Sequence, residues 1–112
     1  MGVSGDTEGY NATANTWSAL TADSVFRNGA CAGAIGGNLY NVNGNDNSNN
    51  AFSGNEAFNL AANKWTALKL APQSMTDVGP AVYGGQLYCF GGAAFANAFH
   101  PTVYNNVQIY QP

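Results

Sequence analysis

Few residues in this chain could carry chemistry, and their spacing limits what that chemistry could be. There is one histidine, His100, and two cysteines, Cys31 and Cys89. The cysteines lie inside apolar stretches without metal-ligand spacing, which reads as two buried free thiols, with a disulfide as the open alternative. Arg27 is the only arginine. It is either a structural hydrogen-bond donor at the start of a strand or an anchor whose planar fork grips a carboxylate. The run Asn45-Asp46-Asn47-Ser48-Asn49-Asn50 is rich in oxygen donors. It has one carboxylate and no bidentate Glu, so it reads as a polar loop and not a calcium loop. A second loop, residues 93–102, carries Phe95, Phe99, His100 and Pro101. Its apolar residues either pack within the molecule or meet a ligand or partner. No pair of acids and no pair of histidines is clustered, so no catalytic residue, metal site or cofactor is assigned.

Composition narrows the class further. Charged residues make up 8% of the 112 and the net charge is −3, with Arg27, Lys64 and Lys69 as the only cations. A nucleic-acid surface needs a basic stripe to neutralise phosphates, and an anionic membrane asks for the same. Neither partner fits. No segment approaches the roughly 20 apolar residues of a membrane span. The opening Met1-Gly2-Val3-Ser4-Gly5-Asp6 shows no signal peptide, so the expectation is a soluble protein of unassigned compartment.

The elements that must position these residues are visible as a repeat. Trp17 and Trp65 lie 48 positions apart, and the same offset links Leu20 with Leu68, Gly36-Gly37 with Gly84-Gly85, Leu39-Tyr40 with Leu87-Tyr88, and Gly44 with Gly92. A period in the forties points to propeller blades or helical solenoids. The Gly, Asn and aromatic content, without a 3.6-residue apolar stripe, excludes the helical option. Each copy reads as four strands. Strand a is 31–35 and 79–83, strand b is 39–42 and 87–90, strand c centres on 56–58 and 107–110, and strand d is 17–20 and 65–68. The paired glycines make tight hairpin turns because glycine reaches positive φ without strain. Trp17, Trp65, Tyr40 and Tyr88 recur with the period, so they read as packing residues between units.

These residues resemble the kelch repeat. The chain has Arg27-x-Gly29, then Gly36-Gly37, Leu39-Tyr40 and Gly44 at kelch spacing, and the second copy keeps Gly91-Gly92. Phe58 to Trp65 and Tyr10 to Trp17 keep the family's seven-residue aromatic step. The likeness runs from about residue 8 onward. Asn43, Met75, Asp77 and Phe58 stand where the pattern has Gly, Arg, Gly and Tyr. The resemblance implies an all-β fold of two four-stranded propeller blades, and places binding surfaces on the loop face that holds Arg27, Asn45, Asp46, Phe95, Phe99 and His100.

Two blades are too few for a ring, since propellers close with 4–8. Residues 13–112 form a cyclically complete two-blade unit, with repeats at 17–64 and 65–112. Residues 1–12 duplicate a strand c and are expected to be redundant and loose. Strand 17–20 of one chain is then expected to complete the last blade of its neighbour. Head-to-tail closure gives a homotrimer of six blades, ahead of a homotetramer of eight. The expected function is a binding or scaffold module for a glycan or protein. The alternatives are an engineered or reduced propeller fragment without a ligand, a piece of a longer propeller, and a sugar-active or metal-dependent kelch-like enzyme.

Overall fold

A computed structural model describes residues 5–95 and 100–112. Within them the chain is all β, with nine strands in three antiparallel sheets. Strands β1 (Thr7–Asn11) and β2 (Thr16–Leu20) form a hairpin. Strands β3 (Cys31–Ile35), β4 (Asn38–Val42), β5 (Asn55–Asn59) and β6 (Lys64–Ala67) form a four-stranded meander. Strands β7 (Gly79–Tyr83), β8 (Gln86–Phe95) and β9 (Pro101–Tyr110) form a three-stranded one.

The turns follow from the residues at them. Gly36 and Gly37 have φ of 57° and 81°, and Gly84 and Gly85 have 58° and 75°. Two consecutive left-handed residues match the twist of the flanking strands, which is why Gly-Gly closes both two-residue hairpins. The β5–β6 turn and the β1–β2 turn use asparagine instead: Asn63 at φ 50° and Asn15 at φ 53°. Asparagine tolerates this region better than most residues.

Pairing register repeats with the sequence. Tyr10 faces Trp17 in the hairpin as Phe58 faces Trp65 in the four-stranded sheet. Leu39 faces Phe58 as Leu87 faces Tyr110, so Tyr110 is the repeat-equivalent of Phe58.

The four- and three-stranded sheets stack face to face, with β3 lying against β7 and β8. Cys31, Tyr40, Val42, Met75, Val78, Leu87 and Cys89 form the core between them. Gly33 lets the sheets approach: a Cβ there would lie 2.6 Å from Val82 Cγ2 and 2.9 Å from Leu87 Cδ1. Tyr40 and Val42 on β4, and Leu87 and Cys89 on β8, are buried at alternate positions, as period-2 patterning requires.

Three expectations are corrected. Cys31 and Cys89 are not free thiols but form a disulfide joining β3 to β8. Their Cα atoms lie 5.8 Å apart across the stacked sheets, inside bonding range. Residues 7–11 are not loose: they pair along the whole length of β2. The stretch 93–102 is not simply a loop, since Ala93–Phe95 and Pro101–Thr102 continue the β8–β9 ladder beyond a register shift between Phe90 and Gly92.

Candidate functional site

Arg27 is the best-defined polar centre, and it is turned inward. Its side chain is 3% exposed. Nη1 donates to the carbonyls of Asn41 (3.1 Å), Asn43 (3.0 Å) and Gly54 (3.3 Å). Nη2 donates to Glu56 Oε2, and Nε lies 3.5 Å from Asp23 Oδ2. The guanidinium also sits over the Phe52 ring, 5.1 Å from its centroid. Burial lowers the Arg27 pKa and the Asp23 carboxylate opposes that shift. This placement fits the structural-donor role and not that of a ligand anchor. The group ties the β2–β3 connection to β4, to β5 and to the β4–β5 connection between them.

The second copy has replaced this group as a unit. Met75 stands at the Arg27 position and Ala71 at the Asp23 position, each 48 residues on. Gln108 faces Cys89 as Glu56 faces Asn41, so Gln108 takes the Glu56 position. One cation and two carboxylates have given way to an apolar residue, an alanine and a neutral amide. The Gln108 amide closes on neighbours: Gln73 N donates to its Oε1 (2.9 Å), and its Nε2 donates to Asn43 Oδ1 (3.3 Å) and Gln73 O (3.4 Å).

The connections at Asn28, Asn45, Thr76 and Ala93 come together at one end of the stacked sheets. Asn28 and Asn45 exchange backbone hydrogen bonds, as Thr76 and Ala93 do at the equivalent positions. Gly44 N donates to Met75 O at 2.7 Å and links the two pairs. Asn45 is buried in this network and Asp46 is half-buried. Asp46 Oδ1 accepts from the amides of Ser48 (2.8 Å) and Asn50 (3.0 Å), folding the loop onto its own carboxylate. The Asn50 side chain, then the Asn50 and Ser48 amides, hold the Asp46 pKa below its ordinary value. Phe95 is half-buried on β8, and His100 is exposed beside Pro101. Phe99 lies outside the described residues. Among the described residues, no three His, Cys, Asp or Glu side chains gather as a metal would need.

The structure draws attention to a different residue, Tyr110. Its ring packs 5.5 Å from that of Tyr40 across the two sheets. Burial, then Tyr40, raise its pKa, against the Asn55 side chain, which favours the phenolate. Two clefts open beside it. One, of about 260 Å³, is lined by Val42, Asn55, Lys69, Leu70 and Ile109. The other, of about 390 Å³, is lined by Asn38, Tyr40, Ala57, Thr66 and Leu68. The sequence placed Tyr110 only at the end of the second strand c. The signal that could have found it is the aromatic step: Tyr10 and Phe58 each precede a tryptophan by seven residues.

The two tryptophans differ in surroundings. Trp65 packs on Phe58 with ring centroids 5.1 Å apart and donates from Nε1 to Thr21 O at 2.8 Å. Trp17 packs on Tyr10 at 5.0 Å and remains 68% exposed. Searched against family models and curated proteins, the chain matches none.

Proposed function

We propose that the chain is a two-blade unit of a kelch-like propeller that closes by self-association, and that its work is binding and scaffolding, not catalysis. One relationship carries this reading. The face of the four-stranded sheet that includes Cys31, Tyr40 and Val42 is covered by the three-stranded sheet, leaving Tyr40 6% and Val42 3% exposed. The repeat-equivalent face of the three-stranded sheet includes Gly79, Tyr88 and Phe90, joined by Tyr83, Val107 and Ile109. There Tyr83 is 78%, Ile109 56% and Phe90 48% exposed. A contiguous apolar face of this kind marks an interaction surface.

The stacking of the two sheets is heterologous, because each offers a different face. Repeating it between copies gives a closed ring when the rotation permits. Three chains give six blades and four give eight, both within the propeller range. Such a ring would present the 45–50 loop, Phe95 and His100 in several symmetric copies to a glycan or protein ligand. Linked copies raise weak single-site affinity without new contacts.

Sedimentation equilibrium over a wide concentration range tests the reading. The expected mass is three chains, with four as the alternative. A monomer at every concentration overturns it.

A further inference from the structure

Resting on the self-association just proposed, we infer that β1 is a placeholder: residues 107–110 of β9 from a second copy replace it on β2, seating Trp17 of one chain against Tyr110 of the other.

The template for this contact lies within the chain. Trp65 sits on Phe58 and donates to Thr21 O, while Thr21 N donates to Asn63 Oδ1 at 2.8 Å. This four-residue clasp fastens the end of β2 to the β5–β6 turn. Moved one repeat onward, Thr21 becomes Lys69 and Phe58 becomes Tyr110. The matching tryptophan and asparagine would follow Tyr110 in a next strand. Trp17 and Asn15 are the residues of this chain that have that character, on a turn with the same left-handed asparagine.

Both halves of this second clasp are exposed and separate. Trp17 shows two thirds of its surface. The 390 Å³ groove beside Tyr110, lined by Tyr40, Ala57, Thr66 and Leu68, opens where the template places an indole. Lys69 lines the adjoining cleft. The outer edge of β9 pairs with no other strand among the described residues, and an unpaired edge of this kind accepts a strand from another chain.

What β2 holds meanwhile is β1. It uses the register of the β5–β6 hairpin, with Tyr10 against Trp17, and the Tyr10 hydroxyl donates to Asn15 Oδ1 at 2.8 Å. That is the oxygen whose counterpart on Asn63 accepts from Thr21 N. β1 is therefore a weaker version of the incoming strand. Thr7-Glu8-Gly9 is polar and contains a glycine, whereas Val107-Gln108-Ile109 alternates apolar and polar with β-branched residues suited to a sheet. Exchange of an equivalent element between copies is an economical route to assembly.

The test compares association of the full chain with that of Tyr10→Ala and Tyr110→Ala by sedimentation velocity. Removing Tyr10 weakens the placeholder and leaves the incoming strand intact. Association should tighten by about three- to ten-fold, the value of one aromatic pair. Removing Tyr110 should weaken association by at least as much. Mixing a Trp17→Cys chain with a Tyr110→Cys chain should give an interchain disulfide. If the parent associates but Tyr10→Ala associates no better and the mixed chains do not cross-link, the placeholder role is overturned while self-association stands. If no variant associates at any concentration, self-association falls and the placeholder role with it.

Discussion

Cys31 and Cys89 bond the first strand of one sheet to the second strand of the next, closing a sequence separation of 58 residues. The bridge lies in the core and both cysteines are buried. Cross-linking distant positions removes loop-closure entropy from the unfolded chain. Reduction should lower stability by about 2–4 kcal/mol. Urea unfolding with and without a strong reductant checks this, and coincident midpoints would refute it. A bond of this kind persists in oxidising compartments, so an alkylation assay on freshly isolated protein should find both thiols blocked.

The Asp23–Arg27–Glu56 group and its replacement by Ala71, Met75 and Gln108 make a second prediction. Removing one member of a buried ionic group strands the others. Arg27→Met alone should cost about 3–5 kcal/mol, because Glu56 is left buried without its partner. The triple change Asp23→Ala, Arg27→Met, Glu56→Gln copies the second repeat and should recover about half of that loss. The carbonyls of Asn41, Asn43 and Gly54 lose the Arg27 Nη1 donor in both variants, which keeps recovery incomplete. Thermal unfolding of both variants decides it. A triple variant no more stable than the single one would show that the three positions are not coupled.

The pattern of strands was legible because its markers are local. Paired glycines, Leu-Tyr steps and the Trp spacing each report a turn or a strand within a few residues. The disulfide was not legible, because Cys31 and Cys89 do not occupy equivalent repeat positions and meet only through stacking of β3 on β8. The length of β8 and β9 was also hidden. Gly91-Gly92 reads as a strand end, yet with φ of 60° and 111° it forms an irregularity after which the ladder resumes at Gly92–Tyr104. A bulge adds a residue and a bend without ending the pairing. β1 reads as polar and loose, and its pairing follows from Tyr10 meeting Trp17. Of the candidate site, the loop residues were legible from their composition. Tyr110 and its clefts were not, since they depend on how two sheets face each other.

Asn43 shows how a departure from a repeat can be built in. It takes φ of 63° where the second copy has Gly91 at 60°. Glycine would hold that backbone with less strain, by up to about 1 kcal/mol. The buried amide offsets this by donating to Phe52 O (3.2 Å) and Gln73 O (2.7 Å) and accepting from Gln108 Nε2. Asn43→Gly should therefore lower stability by about 1–2 kcal/mol, since lost partners of buried polar groups outweigh relieved strain. Denaturant unfolding measures it. A more stable Gly variant would show that the amide network contributes little.

Asp46 supplies the pH dependence. Its carboxylate is favoured by the Asn50 side chain and by the Asn50 and Ser48 amides, so its folded pKa lies below the unfolded value. A depressed acid contributes order that is complete above the ordinary carboxylate range and is lost as pH falls through the folded pKa. The amide resonances of Ser48 and Asn50 should hold their shifts down through the range where free Asp titrates, about pH 4. They should then move together below it. Asp46→Asn should abolish that step and leave the unfolding midpoint nearly unchanged, because its bonds stay within one loop. Two-dimensional NMR over an acid titration reads both amides directly. A midpoint at the ordinary Asp value, or amides that move separately, would mean that the loop is not folded around this carboxylate.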